Sequence, residues 1–471
     1  MNPSRNQSCP CGSGLKFKRC CGKIANEPVS IPPPIQFTNT LPLESYGQQG
    51  IADPFERNII DLLRKGNLPH AEILLRISLK RDPTNAKTLN FLGWIASAVN
   101  LPQFAIHYFR EAARLAPDWK MPRTNLKKVS KHLKKDQDEP VTYELETKYA
   151  SKVEKFLLIK AWGYGFWSDV SHVLGQLLVA EIAGRIPVVH WGSNSLFGDG
   201  TNSNAFEFYF EVLSEIGVGD LQKEDFDFWP PKWNRRNLTE GETNKWAGPF
   251  SRVAGLYLLS RPERVVVSDF HTSVIDLKPW IPVGHHLYGL SVDELYRYLV
   301  RRYLRPRKKI ADQVDSFYEQ HLASPDFIAV HARGSDKVSE MKDLDEVNKQ
   351  YKGTIDRCLS VYNCHRIFLM TDDSRVLDHF VKLYGNKIIT TDCQRTSSVQ
   401  GIHYQQVPDR RRLGTEVMVD AYLAATAKAF VGNAFSNPSL IVRYLKDWSD
   451  GDVYLIGQNM YHTFNTFIHN W

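Results

Sequence analysis

Along residues 155–450, short apolar runs alternate with longer stretches whose apolar positions recur every three to four residues. KFLLIKAW (155–162) and PVVHW (187–191) read as strands. SDVSHVLGQLLVAEIAGRIP (168–187) between them reads as a helix, with Ser168 or Asp169 placed to cap it. Together they form one β-α-β unit. Residues 192–290, rich in Trp, Asn, Gly and Pro, predict long loops, and 291–320 predict helix. A second set follows, with strands at 326–332 (DFIAVHA), 366–373 (RIFLMTDD), 387–392 (KIITTD) and 428–433 (KAFVGN). Helices are expected near 347–362, 414–427 and 437–448. Apolar strands separated by helices predict parallel sheets covered on both faces, here in two halves. In such sheets a ligand sits in the crevice at the strands' C-terminal ends.

Upstream the period changes. Pro83 and Pro117 are 34 residues apart, and Ala71 and Leu75 fall one such period before Ala105 and Phe109. With Leu92, Gly93 and Ala112, this is the small-and-large pattern of paired helices in tetratricopeptide repeats. Two repeats are expected over 52–119, with a basic capping helix to about Lys135. A groove for a peptide or protein partner and a plain spacer or oligomerisation surface both stay open. KKDQDEP (134–140) marks the boundary, and the Pro-rich, polar stretch 24–50 reads as a linker.

The chain has 471 residues, too many for a single ordinary core. Its 42% hydrophobic content is globular, and the net charge of +7 suits an anionic ligand or membrane surface. Basic runs at 120–135 and 301–309 lack interleaved aromatics, so nucleic acid is not expected. No apolar run reaches the roughly 18–20 residues of a spanning helix, and MNPSRNQSCPCGSG lacks the apolar core of a secretory signal. A cytoplasmic location is therefore expected, with a peripheral place at the inner membrane surface compatible with the basic bias. Four cysteines, Cys9, Cys11, Cys20 and Cys21, fall in a C-x-C-x8-C-C array. Two close pairs joined by a Gly-containing loop suit a tetrahedral structural zinc ion. The stretch resembles the SEC-C zinc motif.

The strand ends gather chemistry. His331 and Arg333 follow one strand, Thr371, Asp372 and Asp373 another, and Asn433, Ser436 and Asn437 a third. A helix starting near Asn437 points amide N–H groups and the positive end of its dipole into the crevice. Arg333 adds a bidentate cation, and His331 or Asp420 a contact to base or ribose. These residue types point to a nucleoside diphosphate. Asp336, Lys337 and Glu340 follow Arg333 closely; a solvated loop of surface ion pairs is the plain alternative, as helix capping is for the TDD.

HARGSDK (331–337) resembles the HVRRTDK motif of the α-1,6-fucosyltransferases, and the likeness runs in order from about 155 to 450. YLVRRYLRPRKKI precedes it, while MTDDSRVL and DAYLAATAKAFVGNAFSNPS follow, with the family's 16-residue gap from Asp420 to Ser436. WGYGFWSDV (162–170) resembles its Gly-rich turn. The resemblance implies an α/β, two-lobed Rossmann-like GT-B glycosyltransferase that takes GDP-fucose without a catalytic metal. It implies that Arg333 binds the β-phosphate, with Ser436 and Asn437 at the pyrophosphate. His331 and Asp420 would read guanosine, and Gly163, Tyr164 and Gly165 would line the donor from the other lobe. Glu340 is the expected base, matched with a one-residue gap; Asp343 or Asp336 are the substitutes. Gly334 stands where the family has a second Arg.

The expected layout is a zinc motif (1–23), a linker (24–50), helical repeats (51–137), and transferase lobes at 150–310 and 311–471. The expected acceptor is a glycan, a lipid-linked saccharide or a protein, with a further protein partner on the repeats. Two other readings stay open: a GT-B transferase with another nucleotide sugar, and a non-catalytic adaptor that keeps a degenerate transferase domain.

Overall fold

The computed structural model describes residues 53–65, 68–82, 84–98, 102–136, 154–201, 203–229, 233–241, 259, 261–268, 273–278, 281, 284–324, 326–334, 344–398 and 401–457. Five helices come first: α1 (Pro54–Arg64), α2 (Leu68–Arg81), α3 (Ala86–Ala98), α4 (Pro102–Leu115) and α5 (Lys120–Asp136). Consecutive helices pack against each other around their own apolar cluster, which includes Leu75, Leu92, Phe109 and Val129. Small residues let the helices approach. A Cβ on Gly93 would lie 2.6 Å from the Phe109 ring, so α3 and α4 can sit this close only with glycine there.

The rest is mixed α/β and holds two parallel sheets. The first has the order β2-β1-β4-β3, from β1 (Phe156–Lys160), β2 (Ile186–His190), β3 (Phe228–Trp229) and β4 (Val265–Ser268). Helix α6 (Phe166–Ala183) crosses from β1 to β2. It stops four residues short of the expected end because Gly184 takes the left-handed conformation, φ 60°. Arg185 then turns back onto the sheet, where its guanidinium donates to the carbonyls of Phe156, Glu263 and Arg261. β4 lies inside the stretch expected to be loop. Its four residues, VVVS, are fully buried beside β1, and that central position makes a strand of so short a run.

After a short helix α7 (Val274–Leu277), the expected single helix at 291–320 is two: α8 (Val292–Tyr303) and α9 (Lys308–Phe317). Pro306 falls between them. The second sheet has the order β7-β6-β5-β8-β9, from β5 (Phe327–His331), β6 (Arg366–Met370), β7 (Ile388–Ile389), β8 (Ala429–Asn433) and β9 (Val453–Ile456). Between these strands run α10 (Leu344–Val361), α11 (Ser374–Tyr384), α12 (Arg410–Ala424) and α13 (Asn437–Leu445). The strand expected at 387–392 is only the two-residue β7, and β9 was not expected.

One apolar cluster joins the halves, running from Leu157 and Phe166 to Met418 and Ile441. Tyr209 fixes part of the joint. Its hydroxyl donates to the Phe197 carbonyl at 2.7 Å, and its ring lies against Gly414 of α12, where a Cβ would collide with it. Arg410 of α12 donates to the carbonyls of Leu196 (2.9 Å) and His403 (3.0 Å). No helix among the described residues is long and apolar enough to cross a membrane.

Candidate active site

In each sheet the chain leaves a central strand first to one side and later to the other. The switch points lie between β1 and β4 and between β5 and β8, where open α/β sheets bind ligands. Arg333 follows β5, Ser436 follows β8, and Gly163, Tyr164 and Gly165 follow β1, so the sheet order alone brings these residues to crevice positions.

The β5–β8 crevice is built around Ser439, on the first turn of α13. Its Oγ accepts the Asn433 amide at 2.9 Å and stands 2.7 Å from His331 Nδ1. The hydroxyl keeps its proton and a second lone pair, so it bonds the ring nitrogen in either imidazole tautomer. Burial, and then the nearby Arg333 charge, lower the His331 pKa to about 3, so the ring is neutral. Gly432 makes the approach possible, since a Cβ there would lie 2.6 Å from Ser439 Oγ. Tyr351 closes the back of the site by donating to the His331 carbonyl at 2.7 Å. Ser439→Ala leaves the buried Asn433 amide and His331 Nδ1 without this partner. It is expected to cost about 1–3 kcal/mol in urea unfolding.

Arg333 is half-buried and reaches Ser436 Oγ through Nη1 at 3.4 Å. Ser436 is the N-cap of α13, yet its side chain makes no capping bond and so faces the arginine instead. The amide supply is narrower than expected. Pro438 has no N–H, and the amides of Ser439 and Leu440 return to the Ser436 carbonyl at 2.9 and 3.1 Å. The Asn437 N–H is left as the first-turn donor. A guanidinium, a hydroxyl, one amide and the helix dipole thus converge on one spot, a combination suited to a phosphate.

The TDD segment has a structural task. Asp373 is the N-cap of α11, accepts the Arg375 amide at 2.9 Å, and pairs with the Arg375 guanidinium at 2.6 Å. Burial raises its pKa, but these bonds to Arg375 outweigh it and hold the carboxyl below its ordinary value. A Cβ on Gly334 would lie 2.5 Å from Asp373 Oδ2. Asp373 therefore caps α11 and fills the space beside the strand end. The Asp372 carbonyl accepts the Thr396 amide at 2.9 Å, which ties down segment 390–398.

That segment covers α12, the helix packed against β5 and β6. Thr391 donates to Asp420 Oδ1 at 2.5 Å. Burial raises the Asp420 pKa to about 6 despite this bond and the nearby Arg395. Arg395 itself donates to the carbonyls of Cys393 (3.2 Å) and Thr391 (2.9 Å).

From the first half, the loop after β1 turns at Gly163, φ 78°. The N-cap of α6 is Gly165, not Ser168 or Asp169. Asp169 instead accepts the Tyr164 amide at 3.1 Å and so shapes the loop from below. Gly165 faces the second half, with a Cβ position 3.6 Å from His403 Nε2. Tyr164 is 42% exposed.

Asp336, Lys337, Glu340 and Asp343 lie outside the described residues, as do Cys9, Cys11, Cys20 and Cys21. The described residues gather one set of metal-ligand type, Glu181, His285 and His286. The Glu181 carboxylate already accepts from Tyr303 and from Tyr298 (3.1 Å) and pairs with Arg302 at 3.1 Å, which accounts for it as a structural acid. Ser439, Gly432 and His403 were not singled out by the sequence. A serine three residues into a helix that follows a Gly-Asn strand end was the available signal.

The SEC-C motif model matches residues 5–23. No curated protein matches the sequence. Among solved structures, NodZ α-1,6-fucosyltransferase co-crystallized with GDP is similar at 18% identity over 62% of this chain and 92% of that chain, TM-score 0.38. Fucosyltransferase NodZ from Bradyrhizobium gives 19% identity, 62% and 93% coverage, and a TM-score of 0.40. POFUT1 in complex with GDP-fucose gives 16%, 65% and 100%, and 0.40.

Proposed function

We propose that this chain is a glycosyltransferase of two-lobed GT-B type that transfers L-fucose from GDP-fucose, with inversion and without a catalytic metal. The observation that carries the reading is the pairing of Arg333 with Ser436 at the β5–β8 switch point, beside the Asn437 amide. The order of motifs from Gly163 to Asn437 supports the choice of donor.

In this reading an acceptor hydroxyl attacks the anomeric carbon opposite the diphosphate. The new C–O bond forms as the bond to the β-phosphate oxygen breaks, and GDP leaves with the electron pair. Charge developing on that oxygen is met by Arg333, the Ser436 hydroxyl and the Asn437 N–H. His331 is neutral and acts through Ser439 by fixing the start of α13. Gly163, Tyr164 and Gly165 line the donor from the first lobe. Glu340 takes the acceptor proton, with Asp336 and Lys337 beside it in the same loop. The acceptor is a glycan or glycosylated partner. The N-terminal helices dock a protein, and the cysteine motif holds a structural zinc.

Asp420 gives the reading a pH signature. Its carboxylate would accept N–H groups of the guanine, which requires ionisation, so GDP binding weakens as pH falls through about 6. The folding linkage has the opposite sense. The folded pKa lies above the unfolded value of about 3.9, so Asp420 favours the folded state at acid pH. That contribution is lost as pH rises through about 6. The β-phosphate also titrates near pH ~6. Calorimetric GDP titrations from pH 5 to 7.5 should therefore be compared with Asp420→Asn, which is expected to flatten the part of the profile that Asp420 causes. An unchanged profile in the variant removes Asp420 from the base site.

A further inference from the structure

Between the halves lies a cavity of about 280 Å³, walled by α6, α8 and α13. α6 contributes Trp167, Ser171 and Leu174, spaced i, i+4, i+7, and α13 contributes Asn437, Leu440 and Tyr444 at the matching period. The walls come from both sequence halves, and neither half forms the space alone. Tyr296 of α8 stacks on Tyr444 with centroids 4.3 Å apart and planes 8° from parallel, which gives a flat aromatic side. The charged lining is self-neutralised, because Arg443 donates to Asp293 at 3.0 Å. Trp167 forms part of the wall and is 3% exposed, with its indole N–H buried behind the ring surface, so the N–H resonance reports on the wall's packing.

Such a space has a specific complement. A phosphate or carboxylate finds no net charge here. A purely aliphatic group offers nothing to the Ser171 hydroxyl and the Asn437 side-chain amide that line the space. A neutral pyranose offers apolar C–H faces to the aromatic side and leucines, and hydroxyls to the Ser171 hydroxyl and the Asn437 side-chain amide. The volume corresponds to about nine waters at roughly 30 Å³ each, the scale of a single sugar ring. Position adds to chemistry. Asn437 edges the cavity and also begins α13, where the donor diphosphate is proposed to lie. A sugar in the cavity would hold its hydroxyls next to the anomeric carbon.

We propose that this cavity is the subsite for one neutral pyranose of the acceptor, a reading that rests on the donor assignment above. The test follows the indole N–H resonance of Trp167 by NMR on the full-length protein, assigned by its loss in Trp167→Phe. The probes are the methyl glycosides of glucose, galactose, mannose and N-acetylglucosamine, with toluene as an apolar probe and GDP and GDP-fucose titrated in parallel. The expected result is a saturable shift with at least one glycoside that persists at saturating GDP. Ser171→Leu, a change at a half-buried position, is expected to weaken that glycoside about tenfold or more and leave GDP affinity within about twofold. Thermal unfolding checks that each variant is folded.

A response to toluene but to no glycoside, or to no probe at all, overturns the proposal. A response to GDP-fucose alone assigns the space to the donor's sugar and overturns it equally. GDP binding without glycoside binding removes this inference and leaves the donor site standing. Glycoside binding without GDP binding shows a sugar site but removes the donor assignment, and with it the acceptor role proposed here.

Discussion

Arg333→Ala lowers kcat/KM for donor turnover by about 100- to 1,000-fold and weakens GDP binding by a smaller factor. The guanidinium is the one side-chain cation at the β5–β8 switch point among the described residues that reaches the Ser436 hydroxyl. Its charge matters most as the bond to the leaving diphosphate breaks, so the loss should fall on kcat more than on the donor's KM. Arg333→Lys keeps the charge but not the planar fork, and should restore activity only in part. The fold should survive, because the residue is half-buried and projects beyond the end of β5. Single-turnover kinetics on the two variants, beside their urea unfolding curves, separate a site effect from a folding effect. Full activity in Arg333→Ala would remove the phosphate assignment.

Phe109→Ala should act elsewhere and in the opposite manner. The ring is 1% exposed and fills the space left by Gly93 between α3 and α4. Removing it leaves a cavity that two helix backbones cannot close, at a cost of about 3–5 kcal/mol. The five-helix cluster has its own core, so its unfolding transition should move and GDP affinity should not. A calorimetric scan with and without GDP shows which transition shifts. An equal loss of GDP binding would mean that the helices contribute to the nucleotide site.

The sequence was most legible where a periodic pattern coincided with deep burial. FIAVH is apolar at every position but the last, and every one of its residues is buried in the middle of its sheet. Because α/β alternation fixes which ends of the strands share a crevice, Arg333, Ser436 and Asn437 could be grouped before any contact was known. VVVS was hidden because four residues cannot establish a period inside a loop-rich stretch, and its strand character comes from lying beside β1. Contacts distant in sequence were equally hidden. His331 and Ser439 are 108 residues apart, and no local rule pairs them. Asp373 shows the converse: the helix-capping alternative describes its side chain, and Gly334 is explained by the room that side chain occupies.

Everything proposed above depends on the crevice between β5 and β8 turning over a GDP-linked sugar. The most direct test measures hydrolysis and transfer with GDP-fucose, GDP-mannose, UDP-glucose and UDP-N-acetylglucosamine, each with and without EDTA, while folding is monitored alongside. Selective turnover of GDP-fucose that survives EDTA is the predicted result. Selective use of another donor would retain a transferase and discard the fucose. A folded protein that neither binds nor turns over any nucleotide sugar would contradict the claim and favour the non-catalytic adaptor.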